Sequence, residues 1–291
     1  MRTTLIKTTV IAMSLALSSC ATMQAVSPVQ TPPVSTNAVS EVKETKDLAS
    51  VVDELRNTTA RTLVVFDIDD TTLTAEQFFG SDYWYEWQKP ENLGKSEKVS
   101  CKFDYIALNF EAQTMKPTQQ DAAAIFNGIT HDKLFLTSRG ANYRGPTIRE
   151  LTKNGIAFPK MLDGNEDGRI WNWQNADGSR KALLSYHEGV FMTTGQDKGV
   201  MLLFLLDRMK RQYDRVILVD DGMINITNMQ RSMKAAGINY TGLHYTLIDK
   251  PFPINPELAK QADDDFDESR RYLKEVFPTR YEQLQRGECS Y

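Results

Sequence analysis

The sequence predicts an α/β domain: a Rossmann-like parallel sheet of about five strands with helices on both faces. Three observations predict it. Short apolar runs recur at 62–66, 134–136 and 216–219, the first and last of them rich in β-branched residues. They are unbroken rather than alternating, as strands covered on both faces require. The stretches between them carry helical apolar spacing and stop at glycines such as Gly155 and Gly237. Strands alternating with helices give βαβ units and a mainly parallel sheet.

The elements follow in chain order. Arg2 and Lys7 precede an apolar run over 8–17. At ten residues the run is too short to span a bilayer, which takes about 20, so it is expected to be a secretory signal. It ends in Leu17-Ser18-Ser19-Cys20, which resembles the lipobox of bacterial lipoproteins. The resemblance implies cleavage after residue 19, acylation of Cys20 and a lipid anchor in the cell envelope. Ala21 stands where aspartate would retain a lipoprotein at the inner membrane, which favours the outer membrane. Residues 20–45, rich in Ser, Thr, Pro, Val and Gln, are expected to be a flexible tether, with the domain spanning 46–291.

Within the domain a helical prelude is expected over 41–55, then a buried strand over 62–66. Residues 75–115 turn aromatic and irregular, with Phe78, Phe79, Tyr83, Trp84, Tyr85 and Trp87 close together, and are expected to form a small cap insertion. The cluster either lines a substrate pocket or forms the cap's own core. A helix over 118–128, a strand over 134–136, a helix over 146–154 and a strand over 156–158 follow. Turn residues around Trp171 and Trp173 predict a β-hairpin excursion. A helix over 199–211, a strand over 216–219, a helix over 224–236, a strand over 239–247 and a polar helix over 257–276 complete the chain.

Composition narrows the function. The 291 residues carry a net charge of −4 with no basic face, so no nucleic-acid partner is expected. His131, His187 and His244 share no ligand spacing, which leaves no zinc site. Asp163, Asn165, Asp167 and Gly168 open like a calcium loop, but position twelve is Gln174, so an ordinary polar turn is expected. Cys101 and Cys289 are either a disulfide, as an oxidising compartment permits, or two separate thiols. Oligomeric state has no signature in the sequence.

The chemistry lies where strands end. In an open parallel sheet ligands sit beyond the carboxyl ends of the strands, and Asp67, Thr137 and Asp220 each follow an apolar strand directly. Carboxylates gathered in one pocket repel unless a cation compensates. Oxygen ligands favour a hard ion such as Mg2+, which commonly binds a few carboxylates together with phosphate oxygens.

Four segments then match a family. Val64-Val65-Phe66-Asp67-Ile68-Asp69-Asp70-Thr71, the run ending in Thr137, Lys198 in Asp197-Lys198-Gly199, and Asp220-Asp221 resemble, in order, the four motifs of the haloacid dehalogenase superfamily. The Asp67–Asp70 start and the Thr137-Ser138-Arg139 end of the second motif look closest to secreted acid phosphatases. The chain is also similar to uncharacterised secreted bacterial proteins of that superfamily. The resemblance implies a Mg2+-dependent phosphomonoester hydrolase with a small phosphorylated substrate. Asp67 would be the nucleophile and Asp69 the general acid and base, its backbone carbonyl also a metal ligand. Thr137 and Lys198 would bind phosphate. Asp221 would bind the metal directly and Asp220 in the outer shell, an order that could be reversed. Arg139 would contact substrate or pair with a neighbouring acid. A non-catalytic binding or structural lipoprotein on the same fold is the alternative; dehalogenation fits less well, since it needs neither the paired acid nor the metal.

Overall fold

The computed structural model describes residues 38–56, 58, 61–93, 98–158 and 168–290. The signal segment, Cys20, most of the tether and residues 163–167 of the calcium-like turn lie outside them.

Two sheets form. The larger has eight strands: β1 (Ser40–Thr45), β2 (Thr62–Phe66), β5 (Asp132–Thr137), β6 (Arg169–Gln174), β7 (Lys181–His187), β8 (Val190–Met192), β9 (Arg215–Asp220) and β10 (Asn239–Tyr245), in the order β1-β10-β9-β2-β5-β8-β7-β6. The six strands from β1 to β8 in that order pair in parallel. The hairpin β6–β7 joins the end of the sheet in antiparallel pairing through β8. The parallel α/β architecture is therefore as expected, but eight strands replace about five.

The differences have physical causes. β1 (Ser-Glu-Val-Lys-Glu-Thr) lies at the edge beside β10 and is largely solvent-facing, so it carries no apolar signal. Its charges suit an edge strand, where they discourage pairing with other chains. Residues 40–45, expected to be the end of a tether, are this strand instead, and the helix expected over 41–55 is only α1 (Ser50–Leu55). β8 is three residues long, too short for a periodicity. Residues 156–158 are not a strand; Ile156 instead buries its side chain after the turn that ends α5 (Arg144–Lys153).

β2 shows why the unbroken apolar run was needed. Its residues alternate between two cores: Val64 and Phe66 face one, Leu63 and Val65 the other. The second core is closed by α6 (Lys198–Met209) and α7 (Met223–Ala236) through Leu202, Leu205, Met229 and Met233. The first is closed by α4 (Ala122–Gly128), α5, and the C-terminal helices α8 (Pro256–Val276) and α9 (Pro278–Gln285).

The insertion is held at both ends by a two-stranded antiparallel ribbon, β3 (Leu73–Ala75) with β4 (Met115–Pro117). Between them lie α2 (Asp82–Trp87) and α3 (Lys102–Ala112). The aromatic cluster joins the first core: Phe79, Trp84 and Trp87 are buried in it, Phe78, Tyr83 and Tyr85 pack against it, and Phe79 meets Phe266 of α8. Cys101 and Cys289 form a disulfide, tying the start of α3 to the chain after α9. Among the described residues no helix is long and apolar enough to cross a membrane.

Candidate active site

The carboxyl ends of β2, β5 and β9 lie side by side, and the side chains that follow them define the site. The loop after β2 is folded on itself. Asp67 donates its N–H to Val219 O at 2.9 Å, continuing the ladder past the strand. Asp70 takes a left-handed φ of 54°, which an aspartate tolerates, and its N–H bonds Leu73 O. Thr72 donates to Asp67 O at 2.6 Å, and Thr71 Oγ1 accepts the N–H of Asp221 at 2.9 Å. The first and fourth segments are thus locked together through the backbone.

Lys198 opens α6, behind the cap Asp197, and is fully buried. Its Nζ donates to Asp67 Oδ1 at 2.5 Å and to Asp220 Oδ2 at 2.7 Å. Gly199 permits this placement. A Cβ there would lie 2.6 Å from the carbonyl oxygen of Asn228 and 2.5 Å from Ser232 Oγ, so α6 and α7 approach too closely for any other residue.

Asp220 is held on both oxygens: Oδ1 accepts from Gly222 N–H and Asn225 Nδ2, both at 2.9 Å, and Oδ2 from Lys198. Asp221 gives Oδ2 to Lys250 Nζ at 2.8 Å, and among the described residues its Oδ1 accepts no hydrogen bond. Its main-chain oxygen meets His244 Nε2 at 3.0 Å. Thr137 is buried at the end of β5, its Oγ1 accepting the N–H of Arg139 at 3.2 Å.

Arg139 pairs with an acid. Its Nε and Nη2 form a two-pronged bond to Asp69, at 2.9 and 2.7 Å. Nη1 donates to Thr147 at 2.7 Å, and the guanidinium lies 4.2 Å from the Phe110 ring centroid.

The electrostatics separate the acids. Burial pushes the Asp67 carboxyl well above the usual range, with Asp220 and Asp221 adding repulsion and Lys198 opposing. Burial likewise lifts Asp221 to about 7, with Lys250 opposing and Asp82 and Asp220 reinforcing. One ammonium shared between Asp67 and Asp220 balances only one of them. Asp69 goes the other way: burial would raise it, but the charge and hydrogen bonds of Arg139 outweigh burial and hold it below the usual range. Burial would lower Lys198, yet Asp220 and Asp67 keep it charged.

Asp67, Asp220 and Asp221 each offer a carboxylate oxygen, all within 4.8 Å of one another. Buried, short of positive charge and made of oxygen donors, this trio suits a hard divalent ion. Sequence reasoning had all of these residues but missed Lys250, which follows β10 at the same sheet edge and bonds Asp70, Asp82 and Asp221. Its position just beyond a strand end was the available signal.

Fold and site together define an α/β protein with an acidic cluster at the carboxyl edge of a mostly parallel sheet. A family model described as "Protein of unknown function (DUF2608)" matches residues 41–278, and the chain belongs to that family. The match spans every site residue from Asp67 to Lys250. No curated protein matches the chain.

Proposed function

We propose that the protein is a Mg2+-dependent phosphomonoester hydrolase of the haloacid dehalogenase type, attached to the cell envelope through lipidated Cys20. One observation carries the reading: Lys198 bridges Asp67 and Asp220 while Asp221 stands beside them, so three separate chain segments meet in one acidic cluster.

Asp67 is the nucleophile. Oδ1 is held by Lys198, and Oδ2 has no hydrogen-bond partner among the described residues. Attack by this carboxylate on phosphorus forms a phospho-aspartyl bond as the ester oxygen leaves. Water then cleaves that bond, regenerating Asp67 and releasing phosphate. Asp67, Asp221 and the Asp69 carbonyl, with Asp220 behind, would hold Mg2+, which would supply the positive charge that keeps Asp67 ionised and offsets phosphate oxygens. Lys198 stays charged throughout and offsets the phosphoryl group. Thr137 stands at the strand end where its hydroxyl can reach a phosphate oxygen. Asp69 as seen is ionised, the state a general base needs. To protonate a leaving group it has to turn out of Arg139.

That clamp is also the observation favouring the second reading, a binding protein without turnover. The two separate on one assay. Protein beginning at Ala38, so that β1 is kept, is expected to release phosphate from p-nitrophenyl phosphate only with Mg2+, and Asp67→Asn to lower the rate at least about 1,000-fold. Binding of inorganic phosphate without hydrolysis would leave the second reading standing. For the anchor, the expected result is incorporation of labelled palmitate that Cys20→Ala abolishes.

A further inference from the structure

Lys250 lies in the loop after β10, and its Nζ sits 2.8 Å from Asp70 Oδ2, 2.6 Å from Asp82 Oδ2 and 2.8 Å from Asp221 Oδ2. The three acids come from three places: the loop after the nucleophile strand, the first residue of α2 in the insertion, and the loop after β9. Each offers an oxygen within 4.8 Å of the other two, so without the ammonium they form a second acidic trio sharing Asp221 with the first. The lysine side chain is only 15% exposed and is held in register by its neighbours: Tyr83 donates to Pro251 O at 2.5 Å and packs edge-on against Phe252.

We infer that Lys250 is a positioning residue, a fixed cation that fills the Asp70–Asp82–Asp221 cluster and restricts the site to a single divalent ion. This rests on the hydrolase reading only in taking Asp67 and Asp221 as the metal-holding pair. The reasoning is electrostatic. Six carboxylates (Asp67, Asp69, Asp70, Asp82, Asp220 and Asp221) face three cationic side chains, Arg139, Lys198 and Lys250. One divalent ion brings that group near neutrality. A second would have to displace an ammonium already paired with three carboxylate oxygens. By occupying Oδ2 of Asp221 the lysine also turns that carboxylate so that Oδ1 is the oxygen left for the ion, and by holding Asp82 it seats the insertion against the site.

The test is metal stoichiometry, read by Mn2+ electron paramagnetic resonance and by calorimetry with Mg2+, on the full chain in mild detergent. Wild type is expected to bind one ion, Lys250→Met two, and Lys250→Arg, which keeps the charge, one. Lys250→Gln, whose amide can still donate to the carboxylates, is expected to bind two and covers the case in which the Met variant does not fold. Two ions on wild type, or a single ion on both uncharged variants, would overturn the inference. Two ions on wild type together with Mg2+-dependent hydrolysis would sink this inference alone. One ion on wild type and two on Lys250→Met without any hydrolysis would sink the hydrolase reading and leave the lysine's role intact. No ion on wild type would remove both.

Discussion

Replacing Lys198 by Met removes one charge and leaves a side chain of similar length between Asp67 and Asp220, both of which are buried. In metal-free protein the lysine compensates one of the two carboxylates, and without it that carboxylate has to take up a proton or remain buried and unpaired. An aspartate with an ordinary value of 3.8 that is held protonated at pH 7 costs about 4 kcal/mol, at 1.36 kcal/mol per unit. Breaking a buried ion pair on one side costs about 3–5 kcal/mol, so the two routes agree. The proton route carries a sign. Leaving aside the ammonium proton that Lys198 carries in both the folded and unfolded wild type, the variant's folded state binds one more proton while the unfolded chains bind equally, so the variant loses ground as pH rises above 3.8. The expected destabilisation is about 1.6 kcal/mol at pH 5 and about 4 kcal/mol at pH 7, close to 1.4 kcal/mol per pH unit. Urea unfolding in EDTA at pH 5, 6 and 7 measures it. A Lys198→Met penalty that is flat between pH 5 and 7, or below about 1 kcal/mol at pH 7, would refute the charge-sharing account.

Gly199→Ala gains helix propensity worth up to about 1 kcal/mol but drives a Cβ into the carbonyl of Asn228. A net loss of about 1–2 kcal/mol in urea is expected, and a gain would show that α6 and α7 separate freely. Arg139→Met is expected to cost about 2–3 kcal/mol at neutral pH. Because Asp69 is held below its ordinary value in the fold, that cost belongs to the pH range above about 4 and should shrink as pH falls further, which unfolding at pH 7 and pH 3.5 compares. Cys289→Ser opens a link across 188 residues, and the chain-entropy limit for such a loop is about 5 kcal/mol. A drop in melting temperature matched by reduction of wild type is expected; an unchanged melting temperature would show that the tail docks equally well without the bond.

The legible parts of the fold were those where burial imposes composition. β2, β5 and β9 are covered on both faces, so their apolar runs are continuous, and the residues closing them, Asp67, Thr137 and Asp220, were placed at one sheet edge correctly. β1 escaped because an edge strand needs only backbone pairing, which any polar sequence can supply. The strand expected at 156–158 failed because three apolar residues after a helix also suit a plug over the core. Lys250 carried only a weak signal, its place beyond a strand end, for a different reason. A lysine in a loop is ordinarily solvated, and only the tertiary meeting of Asp70, Asp82 and Asp221 makes this one a hub. Whether Arg139 would meet substrate or an acid was likewise decided by the fold, since Thr147 and Phe110 fix its guanidinium facing Asp69.

β1 runs in the same direction as its neighbours, so Ser40 pairs beside Tyr240 at the start of the ladder and Thr45 beside Tyr245 at its finish. The polypeptide therefore arrives on the opposite rim from the acidic pocket, about 20 Å of strand away. Whatever is joined upstream of Ala38, whether a lipid, a reporter or a surface, is therefore connected to the sheet at the rim opposite the acids.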